Sequence, residues 1–130
     1  MRSDDRMSAI ARLGAVALDA TDPAPVARFY QELLGLQRYY DSPDFIALAG
    51  ATTLLTFHRV DDLPPADWPT GTVPKQMHLD LAVEDLDRAE QAAMALGARK
   101  ADNQPAPDRW RVLIDPAGHP FCLSNAIPDV

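Results

Sequence analysis

The sequence contains an internal repeat, and this repeat constrains the fold more than any other feature. An alternating apolar segment at 16–22 leads into a helical pattern that ends at Gly35. A second alternating segment at 79–85 leads into a similar pattern that ends at Gly97. The two copies are offset by 62 residues at these glycines. A repeated strand and helix of this kind predicts two structural units of the same design that pack against each other.

Both repeats carry the start and stop signals of a helix. Asp22 is a favourable N-cap residue, Pro23 suits the first helical position, and Gly35 is typical of a helix end. Asp85 and Gly97 hold the corresponding cap and end positions in the second repeat. The first helix also has one apolar face, because large apolar residues recur at helical spacing: Val26, Phe29, Tyr30, Leu33 and Leu34.

Short apolar runs follow each helix and are separated by turn sequences. We predict three strands after each helix, near 36–41, 44–49, 52–60, 98–102, 109–114 and 120–125. With the strand that precedes each helix, each half has the order β-α-β-β-β. Two such units predict an α+β fold in which the strands form a curved, cup-shaped mixed sheet with the helices on the outside.

The length and composition of the chain set its domain organisation. A chain of 130 residues, 47% of them hydrophobic, is one ordinary globular domain with a core of its own. We predict a tail at 1–12 and one domain at 13–126, made of modules 13–60 and 75–126. The proline-rich segment 61–74 suits neither a helix nor a central strand, so it is predicted to connect the modules.

The balance of charges limits the partners. The chain has 12 lysines and arginines against 19 aspartates and glutamates, which gives a net charge of −7. Such a surface repels phosphate backbones and anionic lipids, so we expect neither a nucleic acid nor a membrane partner. The N-terminus has no signal-peptide pattern, and the single cysteine, Cys122, excludes an internal disulfide. Together these features predict a cytoplasmic protein.

Three stretches of the sequence carry a resemblance to a known superfamily. They are "ATDPAPVARFYQELLGL" at 20–36, "HLDLAVEDLDRAEQAAMALGA" at 78–98 and "DPAGHPFCL" at 115–123. These stretches resemble the vicinal oxygen chelate superfamily, which includes glyoxalase I, extradiol dioxygenases, fosfomycin-resistance proteins and bleomycin-binding proteins. The stretches at 78–98 and 115–123 are together similar to the glyoxalase-like subgroup of this superfamily. The resemblance covers about 13–126 and implies the glyoxalase/bleomycin resistance fold, with two βαβββ modules paired into a cup.

The resemblance also implies positions for four metal ligands. In the metal-dependent members these are a histidine on the first strand of each half and a glutamate, or a similar ligand, on the last strand of each half. The first-half positions hold Ala15 and, depending on the register, Leu54 or Thr56. The second-half positions hold His78 and Cys122. Since only His78 is retained as such, we expect no metal cofactor.

Strand alternation predicts which side chains line the cup. The apolar members of each strand face the helices, so the small and polar members face the cup. The predicted pocket residues are Asp19, Thr56, His58, His78, Asp80, Trp110, Cys122 and Ser124. Arg109 and Arg111 lie on the face opposite Trp110, so either the aromatic ring or an arginine meets a ligand. The other notable aromatic residues are predicted to be either core or a stacking wall: Tyr39, Tyr40, Phe57 and Trp68.

Three interpretations of His78 remain open. It can hold a divalent metal together with His58 and Cys122, which supply nitrogen and sulfur donors. It can move a proton as a general acid or base, held in place by Asp80 or Asp19. It can also be a hydrogen-bonded residue in a pocket that only binds, or in a pocket that has no function left.

Two main classes of function follow from these alternatives, beside a third in which the chain is a structural or regulatory domain with a vestigial pocket. The first is a protein that binds a small organic molecule in the cup without the usual complete metal site. The second is an enzyme of the lyase, isomerase or dioxygenase type, with His78 and Asp80 as catalytic residues or with an off-pattern metal. The sequence leaves open whether the protein is an enzyme. We also expect a homodimer, because the sheet edges and the open cup need to be covered.

Overall fold

The computed structural model describes residues 9–10, 12–64 and 77–128. In the first half the elements are β1 (Ala15–Ala20), α1 (Pro23–Leu34), β2 (Gln37–Asp41), β3 (Phe45–Ala49) and β4 (Leu54–Arg59). In the second half they are β5 (Leu79–Ala82), α2 (Leu86–Ala95), β6 (Arg99–Lys100), β7 (Trp110–Ile114) and β8 (Pro120–Ser124). Each half therefore has the β-α-β-β-β order that the repeat predicts.

The helix ends follow the local signals in the sequence. The Asp22 carboxylate accepts a hydrogen bond from the backbone N–H of Ala24, which satisfies one of the free donors of α1. Asp85 caps α2 in the same way through the backbone N–H of Arg88, at 3.1 Å. Gly35 ends α1 in the left-handed conformation, with φ 66°, where a side chain would be strained.

The strands form two sheets of four with the same topology, in the orders β1-β4-β3-β2 and β5-β8-β7-β6. In each sheet the strand before the helix runs parallel to the last strand, and the other neighbours are antiparallel. The predicted α+β fold of two βαβββ units is thus confirmed. In the described part of the chain each sheet is a separate hydrogen-bonded unit, and β1 and β5 are the edges of the two sheets nearest the module boundary.

The core lies between the helices and one face of each sheet. Its largest members are aromatic, and Tyr30 of α1 stacks on Phe57 of β4 at 5.9 Å between ring centroids. The same ring meets Phe121 of β8 edge-on at 6.1 Å, so one helix residue packs against both sheets. Phe57 is therefore a core residue, not part of a ligand wall.

The opposite face of each sheet carries no helix in the described residues, and we call it the helix-free face. In the first sheet it includes Ala47 and Thr56, which are register partners on β3 and β4. In the second sheet it includes Asp80, Val112 and Cys122, which are register partners across β5, β8 and β7. These residues alternate with core residues along each strand, as the predicted parity requires.

One predicted strand is much shorter in the structure. β6 covers only Arg99–Lys100, whereas the sequence pattern predicts 98–102. The reason is the Gln104 side chain, which hydrogen-bonds to backbone groups of both strands. Its amide N–H group donates to the carbonyls of Ala101 and Val112, and its amide oxygen accepts from the Val112 N–H. One further backbone bond, from the Ala101 N–H to the Val112 carbonyl at 3.1 Å, is still made; beyond it Gln104 satisfies the Ala101 carbonyl and the Val112 N–H, so the strand pairing ends early.

Parts of the predicted organisation fall on residues that the structure does not describe. These include most of the tail and most of the connector, with Trp68 among them. In the segments that the structure does describe, no helix is long and apolar enough to cross a membrane.

Candidate functional site

A histidine and an aspartate form a close pair at the start of β5. His78 immediately precedes the strand and Asp80 lies two residues further on, so both side chains point to the same face. The His78 Nε2 atom lies 3.0 Å from Asp80 Oδ1, within hydrogen-bonding distance. The His78 side chain is 21% exposed and that of Asp80 is 53% exposed, so the pair is reached from solvent on the Asp80 side.

Cys122 lies beside this pair on the neighbouring strand. It is the register partner of Asp80 in the parallel pairing of β5 and β8, and it is only 2% exposed. The ligand atoms of His78, Asp80 and Cys122 all lie within 4.8 Å of one another. We call these three residues the His78 cluster. The sequence placed all three in the cup, and β5–β8 pairing brings them together.

The structure of β7 shows whether Trp110 or a neighbouring arginine lies on the helix-free face. The Trp110 ring packs against Val112 and Cys122 on the helix-free face, and Ser124 is its register partner on β8. Arg111 points the other way, toward α2. Its guanidinium donates to the carboxylates of Asp87 at 2.9 Å and Glu90 at 3.1 Å.

Arg111 was one of the two arginines that strand alternation left as a possible ligand contact, and its guanidinium is bound in these ion pairs. The hydrogen bond to Asp87, followed by that to Glu90, raises the pKa of Arg111 above its ordinary value. Arg109 precedes β7 and its side chain is exposed. Of the two options at this strand, the aromatic ring is therefore the one that lies on the helix-free face.

The remaining predicted pocket residues lie on the first sheet. Thr56 is buried, and its hydroxyl lies 3.3 Å from His58 Nε2. The His58 ring meets Phe45 edge-on at 4.8 Å, and His58 is the register partner of Asp19 on β1. Among the described residues, His58 is not part of the His78 cluster. The metal hypothesis from the sequence grouped His58 with His78 and Cys122, whereas in the structure Asp80 is the third member.

A shallow depression lies on the helix-free face of the first sheet. A register shift in β2 between Arg38 and Tyr40 disturbs the alternation, and both Tyr39 and Tyr40 are exposed, at 73% and 54%. The depression has a volume of about 420 Å³ and is lined by Tyr39, Tyr40, Ser42, Phe45, Ala47 and Leu54. Regular alternation would have put one of the two tyrosines against the helix, so the sequence pattern could not place both in the wall.

A buried polar contact joins the two modules, and no motif in the sequence indicates it. The Tyr30 hydroxyl donates to Asp115 Oδ2 at 2.7 Å, and the other carboxylate oxygen accepts from the backbone N–H groups of Ala117 and His119. Burial, followed by the charge of Asp115, raises the pKa of Tyr30 well above its ordinary value. The His119 ring nitrogen donates to the carbonyl of Asp19 at 2.6 Å, so this turn is also tied to β1.

These contacts border a small cavity between β1 and β5. Its volume is about 90 Å³, which is too small for a drug-sized molecule, and His78, His119 and Tyr30 are among its walls. The open depression on the first sheet has the volume of an ordinary ligand pocket, whereas this cavity does not.

The residues present do not fit the four-ligand metal set that the fold family implies. Ala15 and Leu54 are register partners at the two first-module positions, and neither has a donor atom. Thr56, the alternative position, is buried and hydrogen-bonded to His58. Only His78 and Cys122 of the second module offer donors.

Comparison with known families agrees with this architecture. Residues 15–124 match the family described as the glyoxalase-like domain. The chain belongs to the glyoxalase-like domain family. The match spans every strand and both helices of the described structure, so it covers both modules of the domain. A comparison of the sequence with curated proteins gives no significant match.

Solved structures show how widely this fold is used. The glyoxalase-like domain is similar to a glyoxalase/bleomycin resistance protein/dioxygenase family enzyme from Burkholderia phytofirmans PsJN, with 23% identity, a TM-score of 0.66, and 90% and 100% of the two chains covered. It is also similar to a lactoylglutathione lyase from Agrobacterium tumefaciens, with 17% identity, a TM-score of 0.60, and 90% and 95% coverage.

A third similar structure is the fosfomycin resistance protein FosX from Mesorhizobium loti, with 15% identity, a TM-score of 0.66, and 91% and 94% coverage. At these identities the likeness establishes the fold. The named activities differ from one structure to the next, and one fold hosts many chemistries, so the function of this domain has to be argued from its own site.

Proposed function

We propose that this glyoxalase-like domain binds a small aromatic organic molecule on the helix-free face of its first sheet. The observation that carries the proposal is the depression of about 420 Å³ with Tyr39, Tyr40 and Phe45 in its wall. Its volume falls within the range of ordinary ligand pockets. Two large aromatic side chains left exposed side by side on a strand are typical of a surface that becomes covered in function.

The chemistry of the wall favours a planar ligand. Tyr40 and Phe45 already contact each other, with ring centroids 5.8 Å apart at an interplanar angle of 50°, and Phe45 in turn meets His58. A planar ring placed against Tyr39 or Tyr40 extends this row of aromatic contacts, each worth about 0.5–1.5 kcal/mol beyond the area it buries. The net charge of −7 favours a neutral or cationic molecule over an anionic one.

Calorimetric titration tests this proposal. The probes are matched aromatic compounds that share one ring system and carry a cationic, a neutral or a carboxylate substituent. We expect the cationic and neutral compounds to bind, and Tyr39→Ala and Tyr40→Ala each to weaken binding about fivefold, which corresponds to about 1 kcal/mol.

The control variant is Met94→Ala, since Met94 is a large apolar residue exposed on α2, away from the first sheet's helix-free face. It should leave the affinity unchanged. Equal losses in Met94→Ala and the tyrosine variants would show that the compounds bind exposed apolar surface without using the depression. Stronger binding of the carboxylate compound would contradict the charge argument.

A second candidate function is proton transfer by an enzyme, and the 3.0 Å contact between His78 and Asp80 favours it. In this hypothesis His78 removes a proton from a carbon next to a carbonyl, and Asp80 orients the imidazole and stabilises its charged form. Two of the similar structures are named as a lyase and as an enzyme of the family, which supports testing this class.

The test is turnover of the hemithioacetal of methylglyoxal and glutathione, with α-keto acids and catechol as further substrates. If the hypothesis holds, purified protein turns over one of them, and both His78→Ala and Asp80→Asn lower the rate by about 100-fold or more. His58→Ala is the matched control because His58 lies outside the pair. A rate that persists in His78→Ala would assign the activity to a contaminant or to another site.

We also propose that the domain forms a homodimer. The strands β2 and β6 are the outer edges of the two sheets, and an uncovered edge exposes backbone groups that pair with another chain. Light scattering at micromolar concentration should give twice the chain mass of 14.2 kDa. The mass of a single chain would disprove the dimer.

A further inference from the structure

We propose that the His78 cluster is a zinc site built from a donor set different from the one that the fold family implies. One imidazole nitrogen, one carboxylate oxygen and one cysteine sulfur lie within 4.8 Å of one another on two adjacent strands. Two of these residues, His78 and Cys122, are at positions where the resemblance implies ligands. The third, Asp80, is not such a position, and the first module contributes no donor through Ala15 or Leu54.

The separations of the three donor atoms are close to those around a tetrahedral ion, since no two of them are more than 4.8 Å apart. Zinc binds nitrogen, oxygen and sulfur ligands at about 2.0–2.3 Å, which places neighbouring ligand atoms about 3.3–3.6 Å apart. His78 Nε2 and Asp80 Oδ1 are already 3.0 Å apart. A cation between them replaces the proton that they share and separates them by only a few tenths of an ångström.

The backbone holds the three ligands in place. Asp80 and Cys122 are register partners in the β5–β8 pairing, and His78 shares the face of Asp80 two residues away. Cys122 packs against Val112 and beside Trp110, which keeps water from its side of the cluster. Cysteine binds zinc as the thiolate, and at this buried position the bound cation would compensate the charge of that thiolate.

The donor types select the metal. Thiolate and imidazole together favour zinc over magnesium or calcium, which prefer oxygen ligands. Three protein ligands leave a fourth position for water or for a donor atom of a bound molecule, as in catalytic rather than structural zinc sites. This position opens on the solvent side, because the Asp80 side chain is 53% exposed.

The test measures the metal alone, so it does not depend on the proposed organic ligand or on any activity. Protein stripped with a chelator is titrated with Zn²⁺ in competition with a chromophoric chelator, and the bound metal is counted by plasma mass spectrometry. Cobalt is then added to the stripped protein in place of zinc. A cobalt–thiolate charge-transfer band in the near ultraviolet reports directly on Cys122 as a ligand.

We expect one zinc ion per chain and a cobalt–thiolate band in the unmodified protein. His78→Ala and Cys122→Ser should each weaken zinc binding by about 100-fold or more, and Asp80→Asn by about tenfold. His58→Ala should bind as the unmodified protein does, since His58 lies on the other sheet. Asp80→Asn changes a half-exposed side chain, so it tests the site even if a Cys122 variant unfolds.

Three results would overturn the proposal. The first is the lack of stoichiometric zinc in the unmodified protein. The second is a cobalt complex without a thiolate band, which would exclude Cys122. The third is one zinc ion per two chains, which would place the ion between molecules and not within the His78 cluster of one chain.

Discussion

The buried contact between Tyr30 and Asp115 gives the sharpest test of how the two modules are held together. Tyr30→Phe removes one oxygen atom and leaves the ring that packs between Phe57 and Phe121. The Asp115 carboxylate, only 3% exposed, then loses its 2.7 Å hydrogen bond from the phenol. It keeps the backbone donors of Ala117 and His119.

The size of the effect follows from the chemistry of this hydrogen bond. Hydrogen bonds to charged groups contribute about 1.5–3 kcal/mol, and a buried carboxylate that loses one partner cannot recover it from water. We expect Tyr30→Phe to lower the free energy of unfolding by about 2 kcal/mol. For a domain of this size that corresponds to a fall of about 8 °C in Tm.

The pH dependence adds an independent check on the same contact. The pKa of Tyr30 is raised above its ordinary value of 10.0 by burial and by Asp115. Above pH 10 the unfolded chain therefore releases this proton while the folded chain retains it, so stability falls as the pH rises through and beyond that value. Below it the contribution is fully present. Tyr30→Phe should lack this alkaline loss.

Urea unfolding followed by circular dichroism, at neutral pH and above pH 10, measures both effects. Tyr40→Phe is the matched control, because it removes the same atom from a tyrosine that is 54% exposed and should change stability by less than about 0.5 kcal/mol. If Tyr30→Phe and the unmodified protein were equally stable, the Tyr30–Asp115 hydrogen bond would not be holding the two modules together.

Three further changes test the fold. Gly35→Ala should lower the free energy of unfolding by about 1 kcal/mol in the same urea assay, because φ is +66° there. Gly14→Ala is the control and should have little effect, since a Cβ at Gly14 meets nothing within 4 Å and its φ is not positive. Gln104→Ala should cost about 1–2 kcal/mol and speed hydrogen exchange at the Val112 amide, since that amide loses its acceptor; unchanged exchange would contradict this. Arg111→Gln should cost about 1 kcal/mol at low salt and less at high salt, and a loss independent of salt would point to packing and not to its two ion pairs on α2.

Much of the secondary structure could be predicted because its signals are local. Asp22 and Asp85 cap the helices that their positions indicate, and Gly35 and Gly97 follow the helix ends. Period-two alternation correctly separated core residues from those of the helix-free face. It failed at Gln104, whose side-chain hydrogen bonds end β6 early, and at the register shift in β2.

The candidate site was only partly predictable, because its residues come from different strands. Alternation put His78, Asp80 and Cys122 on one face, but it gave no distances between strands. His58 shares that parity, yet its strand belongs to the other sheet. The metal hypothesis written from the sequence therefore grouped His58 with His78 and Cys122, whereas the strand pairing brings Asp80 to them.

The sequence by itself determined the two-module design, the helices, and the face on which each strand residue lies. These depend on capping, glycine conformation and a period of two, which act over a few residues. The tertiary structure decided which faces and strands meet. Tyr30 and Asp115 are 85 residues apart in the chain, and Arg111 turns to α2 because Asp87 and Glu90 are there. Such contacts arise only when the sheets and helices pack, because only packing brings distant residues within hydrogen-bonding distance.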